Sequence, residues 1–371
     1  MPRVSMARPS AFDPLHFTHG PSMANRFMLA PMTNLQSHAD GRLSDDEFNW
    51  LTLRARGGFG LTMTCASHVQ AVGQGFAGQL GIFGDEHLDG LTRLAAGIHA
   101  HTSVAIVQLH HAGKRSPAKL IGQAPVCPSA DAKTGARALT LAEVEALRED
   151  FIAAALRAER AGFDGVEIHG AHGYVLTQFL SSRTNKREDR YGGSFENRAR
   201  LVFEIIEGVR ARCRPDFNVG VRISCERFGV ELMEARELCR QLLAAGTLDF
   251  VDLSLWDAFK EPAEEAHQGR SLLSYFTELE RGEVRLGVAG KIYSAADVRA
   301  CLEAGVDFVS LGRAAILHHD FPERMRADPE FVSRSLPVSA ELLRTEGLGE
   351  AFVAYMSGWE GFVAAPDPAA P

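Results

Sequence analysis

Short apolar runs recur along the chain, each rich in β-branched or aromatic residues and each running into a polar or glycine-containing cluster. Eight stand out, at residues 26–31, 61–64, 104–107, 166–168, 219–223, 250–253, 284–288 and 308–311. Between them the apolar period changes from a continuous block to three-or-four spacing. Leu141, Val144, Leu147, Phe151, Ala155 and Ala158 mark one face of a helix, with Glu143, Glu145, Arg148, Glu149 and Arg157 on its flanks. Ser44 followed by Glu47 is a capping-box pattern and predicts a helix over 44–56. Ala161-Gly162, Ala245-Gly246 and Ala304-Gly305 each precede an apolar run by a few residues, as does Gly57-Gly58. A glycine there can end a helix in the left-handed conformation before the next buried strand begins. Buried strands alternating with amphipathic helices predict an α/β fold with a parallel sheet. Eight such units predict a single-domain (β/α)8 TIM barrel over 26–320, with a lead-in segment 1–25 wrapping the surface and a helical tail 321–371.

No GxGxxG follows the first strand, so the usual dinucleotide fold is not indicated. A length of 371 residues suits one large barrel, and 46% apolar with 23% charged residues is ordinary for a globular protein. The net charge of −8, without basic blocks, argues against nucleic acid as a partner. Six scattered cysteines without a CxxC pair argue against a zinc ribbon or an iron–sulfur site and suit a reducing compartment. The first twelve residues lack the apolar core of a secretory signal, and no run reaches the ~20 residues of a membrane span. A cytoplasmic protein without membrane association is therefore expected.

The chemistry concentrates where strands end. The fourth run breaks into His169-Gly170-Ala171-His172-Gly173-Tyr174, two imidazoles and a phenol among small residues. Each needs a partner if buried, which makes a site the better explanation than core packing. In a barrel of this kind the C-terminal strand ends share one rim. They carry Pro31-Met32-Thr33, Cys65-Ala66-Ser67-His68, Gln108-Leu109-His110-His111, Arg222, Ser254-Leu255-Trp256-Asp257, Gly290-Lys291 and Gly312-Arg313. Glycines at the last two ends, with Arg313 leading into a helix, favour a phosphate. Arg222, set in an apolar strand, requires a fixed acceptor or an electron-rich ring system. Together these describe a large phosphorylated cofactor across the barrel mouth.

Those motifs, with Ala30-Pro31-Met32-Thr33, Gln108-Leu109-His110-His111-Ala112-Gly113, Tyr191-Gly192-Gly193-Ser194-Phe195-Glu196-Asn197-Arg198 and Leu311-Gly312-Arg313, resemble the Old Yellow Enzyme family of FMN-dependent ene-reductases, the NADH:flavin oxidoreductases. The likeness runs in order over residues 14–320. It implies non-covalent FMN, with NADH or NADPH as hydride donor. Pro31, Met32 and Thr33 would run beside the isoalloxazine, Ala66 would leave it room, and Gln108 would bond its pyrimidine edge. Arg222 would stabilise negative charge on the reduced ring, while Gly290, Gly312 and Arg313 would take the phosphate. His169 and His172 would hold the carbonyl oxygen of an α,β-unsaturated substrate during hydride transfer from flavin N5, and Tyr174 would deliver the proton.

Thr33 stands where one subgroup carries a cysteine, and Leu35 where some members carry a substrate-facing Tyr. The chain lacks the clustered cysteines of the branch with an iron–sulfur cluster and added domains. Two other readings compete. His169-x-x-His172 beside His110-His111 could serve a metal-dependent barrel hydrolase, although Glu167 and Asp252 lie in strand bodies and only Asp257 lies at an end. The chain could also bind flavin without ene-reductase turnover. No metal is expected. The segment 191–198 reads as a structural loop with Ser194 capping a helix, Trp256 and Phe259 read as packed aromatics or pocket walls, and His111 reads as structural. The physiological substrate, the choice between NADH and NADPH, the flavin potential and homo-oligomer formation are not legible in the sequence.

Overall fold

A computed structural model describes residues 10–365. The eight apolar runs form eight strands: β1 (Phe27–Leu29), β2 (Leu61–His68), β3 (Val104–His110), β4 (Gly165–Gly170), β5 (Asn218–Ser224), β6 (Phe250–Ser254), β7 (Arg285–Ala289) and β8 (Phe308–Leu311). All neighbours are parallel and the sheet closes on itself. Phe27 of β1 pairs with Val309 of β8, and Met28 pairs with Leu61 of β2. The (β/α)8 barrel is the expected fold.

Side-chain alternation along each strand decides what faces the axis. Ala105, Val107 and Leu109 of β3, Val166 and Ile168 of β4, and Val219 and Val221 of β5 point outward into the main core shared with the helices. Met28, Leu61, Met63, Val104, Ile106, Phe250 and Phe308 point inward and fill the barrel floor. The same parity carries Gln108, Glu167, Arg222 and Asp252 into the layer above. One extra residue in β2, where the register with β3 slips between Met63 and Ala66, brings Ala66 opposite Gln108.

Local signals account for the helices. Ser44 accepts from Glu47 N and caps Asp45–Arg56, but the Glu47 carboxylate does not complete a capping box. It turns inward to Asn34 Nδ2, at 3.1 Å, and to the Ser37 hydroxyl, tying the helix to the loop that follows β1. Thr140 and Glu143 form a complete capping box on Leu141–Arg160, and Ser194 caps Phe195–Arg212 as expected. Gly58, Gly162, Gly246 and Gly305 adopt positive φ at the helix-to-strand turns. Between β6 and β7 the helix is reduced to Ser274–Thr277.

The described part of the lead-in, residues 10–25, runs largely exposed across the lower end of the barrel, but Leu15 and Met23 bridge to each other and are buried against the barrel floor, an anchoring the sequence did not suggest. The burial of the floor side chains leaves an opening that only apolar groups can close. The tail forms helices Phe321–Ala327, Ala340–Thr345 and Glu350–Ser357. Its Ala/Pro end from 366 lies outside the described residues, as do residues 1–9. Among the described residues no helix is long and apolar enough to cross a membrane.

Two inward glycines make room for the floor aromatics. A Cβ on Gly220 would lie 2.1 Å from the Phe250 ring, and one on Gly287 would lie 2.1 Å from the Phe308 ring. Gly220→Val is therefore expected to destabilise the fold by about 1–3 kcal/mol through overpacking. Urea midpoints of the variant and the parent, at matched FMN concentration, check this; an unchanged midpoint would show that the floor is looser than described.

Candidate active site

A cleft of about 280 Å³ opens at the C-terminal rim of the barrel. Pro31, Met32 and Thr33 form one wall, Arg222 and His172 reach it from β5 and the loop after β4, and Gly290, Gly312 and Arg313 close the side at β7 and β8. Eight of the twelve sequence-predicted site residues thus meet in one space. Ala66, Gln108, His169 and Tyr174 do not line it but stand against those that do. Ala66 pairs with Gln108 across the β2–β3 register, and His169 and Tyr174 contact the other aromatic rings at the end of β4.

The histidines at the end of β4 form a close group. His172 Nδ1 lies 3.2 Å from His169 Nε2, and His172 Nε2 lies 2.6 Å from Ser254 Oγ. His169 Nδ1 has no protein partner. Burial holds His169 well below the usual imidazole pKa and pushes His172 down to about 3, with Arg222 and Arg115 adding to the effect on both. Both rings are neutral at pH 7. Tyr174, at the start of Val175–Leu180, packs edge-on to His110 at 4.3 Å between ring centroids. His111 is structural as expected: it is buried, and its Nδ1 accepts from Gly113 N at 2.9 Å.

Beneath these rings Arg222 and Gln108 meet two buried carboxylates, Glu167 and Asp252, which the sequence suggested only as weak metal-ligand candidates. Arg222 Nε sits 3.1 Å from Asp252 Oδ2, an ion pair that balances its charge without a hydrogen bond, and Nη2 reaches Ser254 Oγ at 3.4 Å. Gln108 Nε2 donates to Glu167 Oε1 at 2.6 Å. Glu167 and Asp252 are both raised by burial, and Asp252 raises Glu167 further. Asp252 keeps the arginine, so Glu167 is the carboxyl that retains a proton. The signal was available: Glu167 and Asp252 share the inward parity of His169 and Phe250.

Sequence reasoning also missed the tail. Tyr355, Met356 and Trp359 line the cleft, with Tyr355 and Trp359 packed edge-on at 6.1 Å. The tail is tied to the loop after β1, because Gln36 Oε1 accepts from Gly349 N at 2.8 Å. Trp256 is not a packed aromatic; it lines the cleft, is 61% exposed and holds φ +66°. Phe259 is exposed and does not line it.

The donors suit a planar, anionic group. Arg313 lies over Tyr293 at 5.5 Å, and among the described residues no carboxylate pairs with it. The Ser310 hydroxyl and His169 Nδ1 are buried without partners. Gly290 lies so close to the backbone of Asp257 and Ala258 that a Cβ would sit 2.8–3.0 Å away. By contrast, the group of His, Asp and Glu with metal-ligand spacing among the described residues is His319, Asp320 and Glu346, away from the imidazoles. Arg324 and Arg334 occupy its carboxylates.

Residues 10–330 match the FMN-oxidoreductase family described as the NADH:flavin oxidoreductase / NADH oxidase family. A probable NADH-dependent flavin oxidoreductase of Bacillus subtilis is 35% identical over 86% of this chain and 88% of its own length. An NADH oxidase of Thermoanaerobacter brockii is 32% identical over 81% of this chain, which spans only 48% of that longer protein. Among solved structures, an old yellow enzyme homologue from Zymomonas mobilis aligns over 94% of this chain and 99% of its own, at 26% identity and a TM-score of 0.78. Morphinone reductase in complex with tetrahydroNAD aligns over 94% and 97%, at 28% identity and a TM-score of 0.77.

The protonated Glu167 gives a pH dependence of known sign. In the unfolded chain a glutamate titrates near ~4.3, whereas here it keeps its proton to higher pH. The folded state binds more protons between those limits, so its stability falls as pH rises through that window. Glu167→Gln, which mimics the protonated form, is expected to fold normally and to lose that part of the slope. Urea midpoints measured from mildly acidic to mildly alkaline pH test it, and a slope identical to the parent's would mean that Glu167 is ionised.

Proposed function

We propose, from the premise that this chain belongs to the NADH:flavin oxidoreductase / NADH oxidase family, that it reduces the activated C=C bond of α,β-unsaturated carbonyl compounds. It is an FMN-dependent oxidoreductase that takes its electrons from a nicotinamide. In this reading His169 and His172 bind the substrate's carbonyl oxygen and Tyr174 protonates the α-carbon. One observation supports it above the rest: two imidazoles kept neutral by burial stand beside a phenol at a single strand end, against the cleft.

Neutral imidazoles are suited to the task. Each offers one N–H to an oxygen on which negative charge grows, and neither holds a full charge that would tighten the ground state equally. With both rings as Nε2–H tautomers, His169 donates to His172 Nδ1 and His172 donates to Ser254 Oγ, and the substrate oxygen would take over both N–H groups. Tyr174, whose pKa burial raises, remains protonated at neutral pH and available as the acid.

FMN would lie along Pro31, Met32 and Thr33, with Ala66 leaving space beneath it. Gln108, its amide nitrogen taken by Glu167, offers the carbonyl oxygen as an acceptor. Arg222, with Asp252 balancing its charge, would offer its remaining N–H groups to the ring. Gly290, Gly312 and Arg313 would receive the phosphate. When bound, FMN supplies the passage of hydride from nicotinamide to the acceptor.

The purified protein is expected to show the visible bands of flavin, to bleach anaerobically with NADH or NADPH, and to recover its colour on addition of 2-cyclohexenone. Tyr174→Phe should slow the recovery by about a hundredfold while leaving the bleaching step intact. A protein that bleaches but does not recover with any enone would remove the ene-reductase reading and leave the family assignment standing.

A further inference from the structure

Tyr174 is surrounded by rings that carry no charge. His110, His169 and His172 lie 4.3, 5.3 and 6.4 Å from it between centroids. Burial keeps all three imidazoles neutral. A phenol that gives up its proton here leaves a phenolate in a largely dehydrated place, and isolated buried charge is costly. Arg115 is the cation at this spot. Its guanidinium carbon lies 4.7 Å from the Tyr174 ring centroid, and its Nη1 donates to the His172 carbonyl at 2.5 Å. Among the described residues no carboxylate pairs with it. Lys114 beside it is instead satisfied by Asp131 at 2.7 Å.

Arg115 is not placed there by a loose loop. Gln178 fastens the loop after β3 to the loop after β4: its Oε1 accepts from Lys114 N at 3.1 Å, and its Nε2 donates to Ala112 O at 3.2 Å and Gly173 O at 2.8 Å. Val175 N adds a bond to His111 O at 3.0 Å. The left-handed backbone of His172, at φ +64°, sets the direction of the carbonyl that Arg115 grips.

We propose that Arg115 is a positioning residue for the protonation step, holding the Tyr174 ring by its face and supplying the positive charge against which tyrosinate forms. The inference rests on Tyr174 being the proton donor. In that step the Tyr174 O–H bond breaks and a C–H bond forms at the substrate α-carbon with the enolate's electron pair. The negative charge stays on the phenolate oxygen until water returns a proton. Because phenolate charge spreads into the ring, a guanidinium on the ring face favours the ionised form more than the neutral one. Arg115, the three histidines and Tyr355 of the tail face Tyr174. Burial raises the phenol's pKa, Tyr355 acts in the same direction and Arg115 acts against both.

The test mixes reduced, FMN-loaded enzyme with 2-cyclohexenone from about pH 6 to about pH 10, bracketing the phenol. The parent is compared with Arg115→Gln, Arg115→Lys and Tyr174→Phe. Arg115→Gln is expected to slow flavin reoxidation about tenfold and to move the alkaline fall in rate to higher pH, since removing the cation keeps Tyr174 protonated longer. Arg115→Lys should restore part of both effects, and bleaching by nicotinamide should be unchanged throughout. Parent-like rate and pH profile in Arg115→Gln, with Tyr174→Phe slow, would overturn the inference alone. Equal losses in the Lys and Gln variants with an unmoved alkaline break would also overturn it, by marking a steric role. An unimpaired Tyr174→Phe would instead show that the proton-donor reading beneath it is wrong.

Discussion

A guanidinium inside a protein needs a counter-charge, and in this barrel one ion pair meets that need for the whole upper interior. Arg222 and Asp252 face each other on adjacent strands, 3.1 Å apart, directly beneath the cleft. Burial raises the pKa of Glu167, and the Asp252 charge adds more than Arg222 takes back, so Glu167 holds a proton and serves as a neutral partner for Gln108. The same pair sits beneath the site while Arg222 itself still lines the cleft. An apolar layer below and an imidazole layer above are both compatible with it. A lone arginine would be compatible with neither.

Above that layer the backbone itself is strained. Among the described residues, the non-glycine residues with positive φ are Leu35, His172, Arg227, Phe228, Trp256 and Lys291, all on loops at the C-terminal rim, and Thr102 at the opposite end. Such conformations cost of order 1–3 kcal/mol each and persist when surrounding contacts enforce them. Here the contacts are specific: His172 N donates to Ser224 Oγ at 2.9 Å, and Lys260 pairs with the buried Glu226 to tie the loops after β5 and β6 together. The rim is a stiff surface carried on a relaxed barrel, as loop-borne sites on rigid scaffolds generally are.

The fold was largely legible because its signals are local. Strand runs, helix periods and the glycines between them repeat every unit, and all eight strands lie where the pattern placed them. The resemblance-bearing residues were legible for the same reason, since His169, His172 and Tyr174 are neighbours in sequence. What escaped notice depends on tertiary partners. Glu47 was read as half of a capping box, yet the pull of Asn34 and Ser37 outweighs the helix end. Leu15 and Met23 gave no sign that the barrel floor needed a plug. Glu167 and Asp252 were visible as strand residues, but reading strands as uniformly buried obscured the two-residue parity that sends them inward. Tyr355 and Trp359 lie far along the chain from every motif, and nothing local tells a helix that it will reach the mouth.

The bond from Gly349 to Gln36 joins two parts of the chain separated by 313 positions. Because Ala30 and Trp359 both border the same cleft, an N-terminal fragment that stops before Tyr355 lacks one of its walls. During synthesis the barrel staves can form in succession, and the wall made by Tyr355, Met356 and Trp359 is added after all eight of them. A chain cut before Tyr355 would keep the residues proposed to hold FMN, Pro31 to Arg313, and would be open on the side that the tail covers.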